Sequence, residues 1–146
     1  MTCNLAFFHM RYVYVILTIL FVIGCQHNQL LTEKQEGKID QTMANEAKKK
    51  TETLGDFKEI EAVDLHGRLI VAIQLKQWDK WKRDSIEKRV KKRLKEEMKV
   101  DHLYVSSDYK IFIETKKLAN HLERQSVSRN EAEEAFQAIV VLMSRK

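Results

Sequence analysis

The stretch Ile60-Glu61-Ala62-Val63-Asp64-Leu65-His66-Gly67-Arg68-Leu69-Ile70-Val71-Ala72-Ile73-Gln74-Leu75 decides how this chain folds. Its first six residues alternate loosely between apolar and polar. Its last eight are almost continuously apolar and rich in β-branched side chains. His66-Gly67 between them is a turn signal. The pattern predicts a β-hairpin, and the second strand, with no polar face, should lie at the centre of a sheet.

Downstream, the period of the pattern changes. Ile86, Val90, Leu94 and Met98 recur every four residues and form one apolar helix face. Asp84 followed by Glu87 matches a capping box with Asp in place of Ser or Thr. At about 100° per residue, Lys88, Lys91, Lys92, Lys95 and Lys99 fall on the opposite face. His102-Leu103-Tyr104-Val105-Ser106-Ser107 reads as a second short apolar strand. Asp108 can cap a helix with Ile111, Phe112, Leu118, Ala119 and Leu122 on one side. The run from Lys110 to Thr115 is β-branched enough to be a strand, so local propensity leaves helix and strand both open. Ser128 and Glu131 form a capping box for a last helix carrying Ala132, Ala135, Phe136, Ile139, Val140 and Met143. The fold class that follows is α+β: a small single domain over residues 56–146, with a short, mainly antiparallel sheet packed against two or three helices.

Ahead of this domain, residues 12–24 run from Tyr12 to Gly24 with no charge. As a helix they would span roughly 20 Å at about 1.5 Å per residue. A bilayer core needs about 30 Å. The run suits a signal-peptide h-region, and Arg11 supplies the preceding positive charge. Val22-Ile23-Gly24-Cys25 then resembles the lipobox of a bacterial lipoprotein. A thiol is presented at the membrane to accept a diacylglycerol, and a small residue precedes the bond to be cut. By that resemblance residues 1–24 are a lipoprotein signal peptide and Cys25 is the lipid attachment site. Met10-Arg11 makes a better start to the leader than Met1 to His9, so translation from Met10 is an expectation. Residues 25–55, rich in Gln, Asn, Lys, Glu and Thr, carry no sustained apolar stripe and read as a polar tether, partly helical, with an extra helix packed on the domain as the alternative.

Composition narrows the function classes. The 146 residues include no proline, four glycines and two cysteines, Cys3 and Cys25. That excludes a disulfide-rich scaffold, a Cys-built zinc site and a Gly-rich phosphate loop. The charge is concentrated. Residues 80–99 hold ten Lys or Arg against four Asp or Glu, a net of +6, while the whole chain carries +5. Such a helix suits anionic lipid headgroups or wall polymers, unless its basic face is merely solvated. Nucleic acid is disfavoured because the leader exports the domain.

Other candidates carry less. Trp78 and Trp81 would share a face on a helical turn. They suit an interfacial belt or a sugar platform, but the expectation here is that at least one caps the core at the strand end. His66, His102 and His121 are scattered and none has a partner at ligand spacing, so no metal or cofactor is expected. Ser106-Ser107-Asp108 lacks a nucleophile motif and reads as a helix N-cap, so no catalytic residue is assigned.

Taken in order, these features resemble one family. A lipobox and a polar tether precede the strand Arg68–Leu75. The basic helix with Ile86 and Val90 follows, then the segment Val105-Ser106-Ser107-Asp108 and a closing helix. This resembles the YhcN/YlaJ family of sporulation lipoproteins over nearly the whole chain. The chain departs from the family pattern in having no proline. The resemblance implies a lipid-anchored protein on the extracytoplasmic face of a cell or spore membrane, linked to sporulation, germination or outgrowth, and no catalytic residue. It also implies a helix over 109–122. The strand–helix–strand core is similar to BON-type adaptor domains as well.

Overall fold

In the computed structural model, residues 38–100 and 102–145 are described. Their elements, in order, are α1 (Thr42–Glu52), β1 (Glu59–Leu65), β2 (Arg68–Gln74), a 3-10 helix (Gln77–Lys82), α2 (Arg83–Glu97), β3 (His102–Ser106), α3 (Tyr109–Glu123) and α4 (Arg129–Ser144). The strand order is β1-β2-β3. β1 pairs antiparallel with β2, and β2 pairs parallel with β3. The sheet of this small α+β domain is therefore mixed, its longer pairing antiparallel and its shorter one parallel. The basic helix accounts for this: α2 is the crossover between two parallel neighbours.

The central strand is apolar from Leu69 to Ile73 because helices cover both sheet faces. Leu69, Val71 and Ile73 join Ile60, Ala62 and Leu103 in one cluster with Ile86, Val90, Leu94 and Met98 of the α2 segment. Ile70 and Ala72 join Val63 and Leu65 in the other, against Ile111, Phe112, Leu118, Ala132, Phe136 and Ile139 of α3 and α4. Each large aliphatic or aromatic side chain fully buried this way contributes about 1.5–3 kcal/mol. The hairpin forms as expected. Leu65 faces Arg68 across a two-residue loop, with His66 at φ 53° and Gly67 at φ 73°. Positive φ at both central residues is what the type I′ turn demands.

The sequence left two segments unresolved or under-read. Residues 109–123 are a helix, because the Asp108 carboxylate accepts from the N–H groups of Lys110 at 2.8 Å and Ile111 at 3.2 Å. Capping and burial of Phe112 outweigh the β-branched run. The second half of the presumed tether is also structured. Residues 42–52 form α1, which lays Ala44, Ala47 and Thr51 on the first cluster's face of the sheet. Just ahead of the N-cap residue Gln41, Asp40 Oδ1 accepts from Thr42 N–H at 2.9 Å and from Thr42 Oγ1 at 2.6 Å. Gln41 donates from Nε2 to Asp64 O at 2.7 Å, and its Oε1 accepts from Asp64 N–H at 3.1 Å, so a side chain satisfies the edge of β1. The small Ala stripe gave no apolar period to read. The folded part thus begins ahead of residue 56, and four helices cover the sheet where two or three were expected.

Candidate functional site

α2 presents its buried face through Ile86, Val90 and Leu94, which turns the residues between them to solvent. Lys88, Lys91, Lys92 and Lys95 are all exposed there. Lys92 has one loose contact, Glu96 at 4.0 Å. Lys88, Lys91 and Lys95 make no ion pair among the described residues. Lys99 is exposed too, but the helix ends at Glu97, so Lys99 does not belong to the helical face as expected. The physical reason is that Met98 turns to extended backbone (φ −124°, ψ 136°) to enter the core. Arg93 pairs with Glu97, and Lys50 of α1 reaches the same Glu97 at 3.2 Å. This acidic residue is held by the domain's own cations, leaving the lysine face positive.

The start of α2 also differs from expectation. Its N-cap is Lys82, with no side-chain cap, so Asp84 and Glu87 are not a capping box. Glu87 instead accepts from Ser107 N–H at 2.5 Å and from Ser107 Oγ at 2.7 Å. Ser106 Oγ in turn accepts from Asp108 N–H at 3.2 Å. Ser106-Ser107-Asp108 is thereby a structural junction between β3 and α3, with both serines buried. The geometry is that of a helix cap, with the Ser107 hydroxyl and N–H both committed to the Glu87 carboxylate.

Before α2 the chain makes six residues of 3-10 helix, none of them buried. Trp78 is 77% exposed and Trp81 80% exposed. The expected core contact is therefore absent. Leu75, 8% exposed, is the side chain that joins the core at this strand end, and both indoles stand outside it. Lys82 Nζ lies 4.6 Å from the centre of the Trp81 ring, a cation–π contact. Beside this turn is a cavity of about 570 Å³, bordered by Lys58, Lys76, Lys80, Arg83, Ser107 and Tyr109. A more apolar groove of about 480 Å³ lies between α3 and α4, against Leu118, Val127, Ile139 and Leu142.

The three histidines among the described residues, His66, His102 and His121, lie apart, in the β1–β2 turn, at the start of β3 and late in α3. Among the described residues no group of three or more His, Cys, Asp or Glu could hold a metal, and no helix is long and apolar enough to cross a membrane. Cys25 lies outside the described residues.

What fold and site define together is a small α+β domain with a dense cationic helix and an exposed aromatic turn. Residues 26–140, beginning directly after Cys25, match the family model "Sporulation lipoprotein YhcN/YlaJ", and the chain belongs to that family. No curated protein and no solved structure gives a match. Membership makes this a sporulation lipoprotein, a class held to the membrane by its lipid.

Proposed function

We propose that the chain is a non-enzymatic envelope protein of spore formation, germination or outgrowth, acylated on Cys25 and displayed from the extracytoplasmic face of a cell or spore membrane. Its working surface in this reading is the lysine face of α2, which meets anionic lipid or wall polymer. The observation that carries the proposal is the net +6 of residues 80–99, exposed and nearly free of acidic partners. Each Lys near an anionic bilayer contributes about 1 kcal/mol, screened by salt. The lipid supplies high effective concentration, so weak contacts suffice.

The test is charge reversal. Lys88→Glu, Lys92→Glu and Lys95→Glu together should lower co-sedimentation of the non-acylated chain with phosphatidylglycerol vesicles or purified wall at least about tenfold. Unchanged binding makes the face merely solvated. Anchoring is tested separately by mass spectrometry of the native protein. A diacylglycerol mass on Cys25 as first residue is expected, and an intact leader with a free thiol defeats that part.

A further inference from the structure

The 3-10 turn before α2 sorts its side chains into ridges. With three residues per turn, positions three apart eclipse one another. Gln77 and Lys80 form one ridge, Arg83 follows at the start of α2, and all three border the 570 Å³ cavity. Trp78 and Trp81 form the adjacent ridge, both more than three-quarters exposed. Two large indoles side by side in water, with no core to fill, mark a surface that meets something else.

The cavity's chemistry says what that is. Lys58, Lys76, Lys80 and Arg83 bring four cations to it, and no carboxylate borders it. Only Lys76 is paired, with Asp56, which is not among the lining residues. Lys58, Lys80 and Arg83 have no ion-pair partner among the described residues. Ser107 and Tyr109 add hydroxyls at the same wall. An apolar, amphipathic ridge beside an unneutralised cationic pocket matches one environment, the interface of an anionic bilayer. There indoles lie at headgroup depth and phosphates lie just outside them.

We infer that this turn is a second membrane contact: Trp78 and Trp81 enter the bilayer interface while the Lys58–Lys76–Lys80–Arg83 pocket seats the phosphate of an anionic lipid. The inference rests on the membrane-facing reading above and adds a defined insertion point, distinct from the lysine face of α2. It fixes which face of the domain meets the bilayer.

The chain contains two tryptophans, so its indole fluorescence reports on this turn alone. The experiment uses the acylated chain in vesicles of phosphatidylcholine, or of phosphatidylcholine with phosphatidylglycerol, each with and without brominated acyl chains. In anionic vesicles the emission should shift to the blue, and brominated lipid should quench it by about half or more, as interfacial depth requires. Phosphatidylcholine alone should leave it red and unquenched. Lys80→Glu with Arg83→Glu should abolish the quenching while retaining native circular dichroism. Water-like emission in anionic vesicles overturns the inference, as does a shift produced equally by soluble glycerol phosphate without quenching. The two proposals separate cleanly. Quenching that survives reversal of Lys88, Lys92 and Lys95 supports the turn even if the α2 face is inert. Lost sedimentation on that reversal, with indoles unquenched throughout, upholds α2 and sinks the insertion.

Discussion

The carboxylate of Glu87 in α2 accepts two hydrogen bonds from Ser107, one from its N–H at 2.5 Å and one from its Oγ at 2.7 Å. One side chain thus ties the basic crossover helix to the turn where β3 ends and α3 begins. Ser107 is 8% exposed, so its N–H has little recourse to water if the carboxylate is removed. Glu87→Ala should destabilise the protein by about 1–3 kcal/mol, the cost of a buried donor left unmade. Ser107→Ala retains the N–H bond and should cost less. Urea unfolding of the two variants gives the order directly, and equal losses would show that the N–H bond is not what matters.

A second tie should be visible in acid. Arg68 Nη2 donates to Glu133 at 2.7 and 2.5 Å, and its guanidinium lies 4.8 Å over the Phe136 ring. The Arg68 guanidinium first, then the Gln137 amide and the neighbouring His66, hold the Glu133 carboxyl below the ordinary glutamate range against partial burial. A depressed carboxyl stabilises the fold fully above its unfolded pKa of about 4.3, and the contribution is lost as pH falls through the lower folded value. Glu133→Gln should therefore be less stable than the parent at pH 7, by no more than about 1 kcal/mol because the pair is partly solvated. The gap should close between roughly pH 4.3 and the folded value. Denaturant midpoints across pH 3 to 7 would show it, and a gap independent of pH would rule it out.

The hairpin loop carries a residue at odds with its backbone. His66 sits at φ 53°, a left-handed conformation that a non-glycine residue adopts at a cost, while Gly67 at φ 73° is suited to its place. His66→Asn should stabilise by about 0.5 kcal/mol, since Asn tolerates that region better. Gly67→Ala should destabilise by about 1 kcal/mol. Thermal unfolding should move the two midpoints in opposite directions.

The first helix gives a test of where the fold begins. Ala47 is wholly buried between α1 and the sheet, whereas Lys49 points to solvent. Ala47→Leu should overpack that contact and cost about 1–3 kcal/mol. Lys49→Leu should change stability by less than about 0.5 kcal/mol. If urea unfolding finds both variants equally benign, α1 contributes nothing to the core.

Much of this was legible in order along the chain. The hairpin, the centrality of Arg68–Gln74 and the last helix's capping box all follow from local period and turn chemistry, and each is in the structure. The basic helix was legible too, from Ile86, Val90 and Leu94. The roles of Glu87 and of the two tryptophans were not. Glu87 lies three residues after an acidic one, which satisfies the spacing of a cap, yet its partner is twenty residues away. Nothing local announces such a bond. An indole was expected to cap the core at the strand end, but the residue buried there is Leu75, and both indoles are exposed.

Taken alone, the order of residues determined the elements with strong periodicity and the clustering of charge, and set the expectation of a leader and a lipid site at Cys25, because each is written in neighbours within a few turns of one another. Tertiary structure decided the rest. It paired β3 parallel to β2, drew the weakly apolar helix Thr42–Glu52 onto the sheet, ended α2 before Lys99, and stood Trp78 and Trp81 in solvent beside a cationic pocket. Those outcomes depend on competition for a limited interior among segments far apart in the chain, and local pattern holds no record of that competition.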